Sequence, residues 1–249
     1  MRRIAALYDI HGNLPALEAV LEEVREAEVQ MLVIGGDVMP GPMARETLRH
    51  LLRIEIPLRF IQGNGEVDAL AEASGARATR VPERAREAVR WSAAQLFPEY
   101  ETTVAAWDGM LRLEIAELGA VVFCHATPRD ENEIFTRLTP EESLRPIFAK
   151  VDATVVVCGH THMQFDRRIG PVRVVNAGSV GMPFGRPGAD WLLLDRDVYL
   201  RHTVYDLTKA AARIRATSYP QAEEFARDYI LRPPSEEQML QAFTSVASR

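Results

Sequence analysis

Ile4–Leu7, Gln30–Ile34 and Leu58–Ile61 are short apolar runs, and each stops at a small polar cluster before an amphipathic stretch begins. Runs this short, rich in branched side chains, read as buried strands. Between the first two, Leu14, Leu17, Leu21 and Val24 recur at helical spacing, opposite Glu18, Glu22, Glu23 and Arg25. Strand–helix–strand alternation calls for βαβ units and a largely parallel sheet. That requirement also says where a site belongs, because open α/β sheets bind ligands beyond the carboxyl ends of their strands.

The first such end reads Tyr8-Asp9-Ile10-His11-Gly12-Asn13. Asp9 and His11 are two apart, so on extended backbone they project to one side and can converge on one ion. Gly12 permits a sharp turn, and Asn13 suits the cap of the next helix. Alone this pair is a weak signal, but four later strand ends repeat its form. They are Gly35-Gly36-Asp37, Gly63-Asn64-Gly65, His125 after the run Ala120–Cys124, and Gly159-His160-Thr161-His162. A lone histidine or Gly-Asp is usually a hydrogen-bonded residue or a turn. Here four of the six histidines fall at these ends, leaving His50 and His202 as structural or surface residues. Carboxylate, imidazole and amide oxygen together suit Mn²⁺, Fe²⁺ or Zn²⁺, and no thiolate is needed, unlike a structural zinc site. Seven ligands are too many for one ion with an open position. They fit two ions about 3.5–4 Å apart that share a carboxylate.

The remaining chain is expected to complete one domain over residues 1–249. The stretch 66–108 breaks the rhythm and is either a lid or an edge of the core. Within it a helix is predicted over Glu83–Leu96, bracketed by Pro82 and Phe97-Pro98. Leu111–Ile115 and Ala120–Cys124 read as an antiparallel hairpin. Thr139-Pro140-Glu141-Glu142 has the form of a helix start capped by Thr139. Ala153–Val157, Val172–Val175, Trp191–Leu194 and Val198–Thr203 are the later strands, and a helical tail without motif occupies 207–249. Hydrophobic residues make up 47% and charged ones 26%, an ordinary globular balance, and the net charge of -6 invites neither nucleic acid nor an anionic membrane. No apolar run is long enough to span a bilayer. Cys124 and Cys158 read as buried thiols, which places the protein in a reducing cytoplasm. Nothing in the sequence decides for or against a homo-oligomer.

In type and order, the five clusters resemble those of the calcineurin-like metallophosphoesterases, most closely the compact bacterial and archaeal phosphodiesterase branch. Asn176-Ala177-Gly178-Ser179-Val180-Gly181 is similar to that branch's segment after the last ligand. The resemblance covers roughly residues 1–206. It implies a four-layer αββα sandwich of two mixed sheets with a dimetal site at one edge. It further implies that Asp9, His11, Asp37 and His162 hold one ion, that Asp37 bridges, and that Asn64, His125 and His160 complete the other. The ions would be divalent, Mn²⁺ first, with Fe, Zn, Ni or Co as alternatives. The implied activity is hydrolysis of small phosphate esters, diesters ahead of monoesters, by in-line attack of a bridging hydroxide.

Two positions depart from the family pattern. Tyr8 replaces a common serine, and Gly65 replaces the histidine of Gly-Asn-His-Asp/Glu that assists the leaving group. Open space at Gly65 would admit a second ester substituent. Arg129 is either a contact to substrate phosphate or an ordinary surface residue. The competing functions on this fold are a scaffold that has lost metal ligands, as in a retromer subunit, and a monoesterase or nuclease. Every ligand position is filled here, and no basic, aromatic-interleaved stretch exists, so both rank below a phosphodiesterase.

Overall fold

The computed structural model describes residues 3–76, 81, 83–96 and 99–247. In chain order the elements are β1 (Ile4–Leu7), α1 (Leu14–Glu26), β2 (Met31–Ile34), α2 (Ala44–Leu51), β3 (Leu58–Phe60), α3 (Asn64–Ala73), α4 (Glu83–Leu96) and α5 (Glu101–Ala105). They continue with β4 (Met110–Ile115), β5 (Gly119–Cys124), α6 (Glu141–Phe148), β6 (Val155–Cys158), β7 (Phe165–Ile169), β8 (Val172–Asn176), β9 (Ala189–Leu194) and β10 (Val198–Thr203). The chain closes with α7 (Leu207–Arg215), α8 (Ala222–Phe225), a π-helical turn (Ala226–Leu231) and α9 (Glu236–Ala247).

Two five-stranded mixed sheets form, ordered β10-β9-β1-β2-β3 and β4-β5-β6-β8-β7. β1, β2 and β3 run parallel, as the alternation requires, and β9 joins β1 antiparallel. Alternation of side chains along β1 explains the layers. Ile4, Ala6 and Tyr8 meet Val121, Phe123, Val155 and Val157 of the second sheet. Ala5 and Leu7 face the other way, onto Leu17, Val20 and Leu48 of α1 and α2. The second sheet turns Val122, Cys124, Val156 and Cys158 outward to Leu144, Ile147 and Phe148 of α6. β1, β2 and β6 are continuous apolar runs because both of their faces are covered. The result is the αββα sandwich.

Several local expectations meet a different outcome. Pro82 and Phe97-Pro98 lie outside the described residues, although α4 spans the predicted range. Val89, Ala93 and Leu96 of α4 and Val104 of α5 are buried in the helical layer over the first sheet. Thr139 caps nothing: α6 begins after Pro140, and the Thr139 hydroxyl accepts the Thr136 amide at 2.9 Å instead. β7 was not foreseen, since Asp166, Arg167 and Arg168 interrupt its apolar pattern. The tail folds back on the domain, with Ile214, Tyr219 and Phe225 packed around Ala88 of α4, and Leu240 of α9 packed on Met163 and Phe184. Among the described residues no helix is long and apolar enough to cross a membrane.

Candidate metal centre

All five strand ends named above open onto one edge of the sandwich, but the backbone reaches it in an unexpected way. β1 stops at Leu7, and Asp9 and His11 both lie in the left-handed region, with φ of 53° and 47°. The extended-strand argument for their convergence therefore fails. Asp37, His160 and His162 share that conformation, at 53°, 66° and 57°. Among the described residues only one other non-glycine, Glu28, has positive φ. Each such residue costs about 1–3 kcal/mol and persists where surrounding structure over-determines it. Here backbone hydrogen bonds do so: Asp9 N–H donates to Gly36 O, His11 N–H to Asp37 O, and Gly181 N–H to Asp9 O. Asn13 caps α1 as expected, its side chain accepting from Ala16 N–H at 3.2 Å.

Asp9 is fully buried at the centre. Its Oδ2 accepts the His160 amide at 2.8 Å, whereas Oδ1 has no hydrogen-bond partner. Around that orphaned oxygen stand three imidazole Nε2 atoms, from His162 at 3.3 Å, His125 at 3.8 Å and His11 at 4.0 Å. Asp37 extends one oxygen to each side, Oδ2 lying 3.6 Å from His11 Nε2 and Oδ1 lying 3.5 Å from His125 Nε2. Two groups of candidate ligands result, Asp9–His11–His162 and Asp9–Asp37–His125, each with its donor atoms within 4.8 Å of one another. Asn64, the first residue of α3, joins the second group through its Oδ1, 3.1 Å from His125 Nε2. His160 stands beside it, its ring centroid 5.2 Å from that of His125.

The rings are oriented by backbone carbonyls. Nδ1 of His11, His125 and His162 meets the carbonyl oxygens of Pro40, Gly35 and Met182 at 3.1, 2.9 and 3.0 Å. An Nδ1–H held this way leaves Nε2 with a lone pair pointing inward, the usual outer support of a metal-binding histidine. Burial pushes the His11 imidazole down to about 3, helped by the neighbouring His162. Burial, followed by His125, likewise pushes His160 down to about 3. Both are neutral near pH 7. Burial raises the Asp37 carboxyl to about 7; His125 opposes the shift, and Glu66 and Asp9 add to it. Burial also acts against the charge on Asp9, but His162, His125 and His11 outweigh it and hold that carboxyl well below the usual range. For His125 burial acts downward, and the facing carboxylates of Asp37 and Asp9 raise it nonetheless. A buried, unpartnered carboxylate oxygen faced by three imidazole nitrogens is a site that fits divalent cations.

Sequence reasoning missed the residues that hold the ligands in place. Glu66 is fully buried, and its carboxylate accepts the amides of Asp37, Val38 and Gly63 at 2.8, 2.8 and 2.7 Å. Its place three residues after Gly63 has capping-box spacing, which was the available signal. Ser179 Oγ donates to Asp9 O at 2.7 Å, and Asn176 Nδ2 donates to Gly159 O at 2.6 Å, so the segment after the last ligand ties the two sheets' loops together. Phe184 stacks on His162 at 5.2 Å, and nothing in the sequence signalled it. Arg129 lies on the rim, where its guanidinium binds Glu133. His202 pairs with Asp190 at 2.7 Å, a structural role.

Gly65 is not open space. A Cβ there would lie 2.0 Å from the Met39 carbonyl oxygen and 3.0 Å from Asp37 Oδ1. Its amide donates to Asp37 Oδ1 at 2.7 Å. The close approach of two backbones demands glycine, and the room for a second substituent must be found elsewhere.

Residues 2–197 match the calcineurin-like phosphoesterase superfamily domain. The chain belongs to this superfamily. Phosphodiesterase YfcE of Escherichia coli K12 is 29% identical over 208 residues, covering 80% of this chain and 90% of that protein. A metallophosphoesterase from Sphaerobacter thermophilus superposes with a TM-score of 0.71 at 23% identity, over 91% of this chain and 97% of its own. A hypothetical protein from Pyrococcus horikoshii OT3 gives 0.77 at 20% identity, over 94% and 100%. These two likenesses bear on the fold, and the superfamily membership makes the chain a hydrolase of phosphate esters that uses divalent metal ions.

Proposed function

We propose that the chain is a dinuclear phosphodiesterase acting on small phosphate esters. Asp9, His11, Asp37 and His162 hold one ion and Asp37, Asn64, His125 and His160 the other. The observation that carries this reading is Asp9 Oδ1, buried and without a hydrogen-bond partner amid three inward-facing Nε2 atoms. When bound, the ions supply an acidified water and positive charge against the phosphoryl oxygens. The chain's own part is positional. Asp37 offers one oxygen to each group, which suits it to bridge. Asn64 adds a neutral oxygen, so the site gains a ligand without further negative charge to repel a phosphate anion. The backbone carbonyls of Pro40, Gly35 and Met182 orient the rings with Nε2 toward the centre. A donor set of carboxylate, amide and imidazole without thiolate supports Mn²⁺ ahead of Fe, Zn, Ni or Co.

The diester preference is supported by the kinship with YfcE, whose name describes a phosphodiesterase. The free, buried thiols of Cys124 and Cys158 support a cytoplasmic setting. A scaffold role is disfavoured because every ligand position is filled and the ligand loops carry backbone strain that a scaffold has no use for. The test is elemental analysis of protein reconstituted with excess Mn²⁺, alongside hydrolysis of bis(p-nitrophenyl) phosphate and p-nitrophenyl phosphate. Two ions per chain and faster diester turnover are expected; at most one ion, or no turnover with any of these metals, would remove the proposal.

A further inference from the structure

His162 receives three contacts from one short stretch of the loop after β8. The Met182 carbonyl oxygen lies 3.0 Å from its Nδ1, and the Phe184 amide donates to its carbonyl oxygen at 3.2 Å. The Phe184 ring stacks on the imidazole, with 5.2 Å between centroids and 21° between planes. His162 has a φ of 57°, a conformation that persists where its surroundings over-determine it. His11 and His125 are oriented instead by the carbonyls of Pro40 and Gly35, in the loop after β2.

The stretch 182–184 is in turn held by the C-terminal helices. Met182 packs on the cluster that contains Ile214, Tyr219 and Phe225. Phe184 is buried with Met163 and with Leu240 of α9, and the Phe243 ring lies 6.4 Å from it. Gly185 N–H donates to Pro234 O at 2.9 Å, at the entrance to α9. An ion pair between Glu236 and Arg137 ties the first turn of α9 to the loop after β5. Its side chains are 39% and 43% exposed, and pairs of that kind contribute little. The apolar contact of Leu240 and Phe243 with Phe184 therefore carries the attachment. All of α9 lies beyond residue 197, where the superfamily domain ends.

We infer that α9 braces the metal centre: Leu240 and Phe243 hold Phe184 against His162, and Phe184 is a positioning residue for the ion that Asp9, His11 and His162 would share. One hydrogen bond at Nδ1 leaves an imidazole free to tilt about that bond. An aromatic ring on its face removes the freedom, so Nε2 stays aimed at Asp9 Oδ1, 3.3 Å away. The second ion, held through Asn64 and His125, does not depend on the brace. The inference rests on the two-ion reading above and gives the tail a part in it.

Titration calorimetry of the metal-stripped protein with Mn²⁺ tests this, read as two binding steps. Asn64→Ala marks the step that belongs to the second group. Phe184→Leu keeps an apolar side chain but removes the ring, and it should weaken the other step roughly tenfold, the lower end for an outer support of a metal ligand. Leu240→Ala should weaken that same step, whereas Phe184→Tyr, which keeps the ring, should bind as wild type does. Ile147→Ala opens a cavity beneath α6 and controls for lost stability. It should lower Tm in chelator and leave both steps unchanged. Wild-type binding in folded Phe184→Leu, or weakening of the step marked by Asn64→Ala instead, would overturn the brace. So would an equal fall in both steps, a Phe184→Tyr variant no better than Phe184→Leu, or a matching fall in Ile147→Ala. Each of these leaves the two-ion reading intact. A wild type that takes up at most one ion would overturn both.

Discussion

His11 Nε2 and His162 Nε2 face each other at 3.2 Å, while the Nδ1 of each ring is held on a backbone carbonyl. With each Nδ1 engaged outward, both Nε2 atoms are left facing one buried space, where a divalent cation would take a bond from each.

Metal should therefore stabilise the fold as well as activate it. At a concentration one hundred times Kd, a ligand bound only by the folded state adds about 2.7 kcal/mol, equivalent to a Tm rise of roughly 5–10 °C for a chain of this size. Differential scanning calorimetry with Mn²⁺ and with chelator measures this. An unchanged Tm would show that the imidazoles meet for another reason.

Asp37 places one oxygen toward His11 and the other toward His125. Asp37→Asn keeps the shape but loses the shared anion, so two ions would repel with less between them. Hydrolysis of bis(p-nitrophenyl) phosphate should fall roughly 10³-fold, and metal stoichiometry should drop below two. Retention of wild-type turnover would remove Asp37 from the bridging position.

The Glu66 carboxylate gathers the amides of Asp37, Val38 and Gly63. Glu66→Gln presents an NH₂ group to amides that need an acceptor. Metal affinity should weaken roughly 10–100-fold through misplacement of Asp37 and Asn64. Isothermal titration with Mn²⁺ reads this directly, and wild-type affinity in the variant would mean that the loops hold without the clamp.

In the metal-free protein the buried imidazoles of His11 and His160 should make stability sensitive to acid below pH 6.5. His11 and His160 fall from 6.5 to about 3 on folding, so the stability they contribute is full above pH 6.5 and is lost as pH drops toward 3, where the unfolded chain takes protons the folded one refuses. Asp37 rises from 3.8 to about 7 and acts in the opposite sense, its contribution being lost as pH rises through 7. Burial raises Glu66 and Asp190 in the same sense as Asp37, so a single imidazole is read from the difference between wild type and a variant that lacks it. His160→Gln should lose less Tm than wild type as pH falls from about 6.5 toward about 4 in chelator. A Tm difference between the two that stays constant over this interval would contradict the assignment.

No imidazole stands at Gly65 to protonate the departing oxygen, and a positioned general acid is usually worth about 10²–10⁴-fold. Rates for a series of aryl diesters should therefore fall steeply as leaving-group pKa rises. A shallow dependence would reveal a proton donor elsewhere. Gly65→His cannot supply one, because its Cβ would collide with the Met39 carbonyl oxygen. That variant should instead lose metal and several degrees of Tm.

That Asp9, His11, Asp37, Asn64, His125, His160 and His162 lie at or just beyond strand ends was legible from sequence, because apolar periodicity and residue type are local properties and each cluster lies within a few residues of the strand that delivers it. The parallel order of β1, β2 and β3 followed from the same rhythm. How those residues meet depends on long-range contacts. Left-handed backbone at Asp9 and His11, where extended strand was expected, depends on hydrogen bonds to Gly36 and Asp37 from another strand end. The clamp of Glu66 on Asp37, the tight contact of Gly65 with Met39 and the stacking of Phe184 on His162 join positions that are far apart in the chain. No periodicity encodes such pairs. They exist only once the two sheets have packed, because burial between the sheets brings those atoms within bonding distance and removes the water that would otherwise satisfy them.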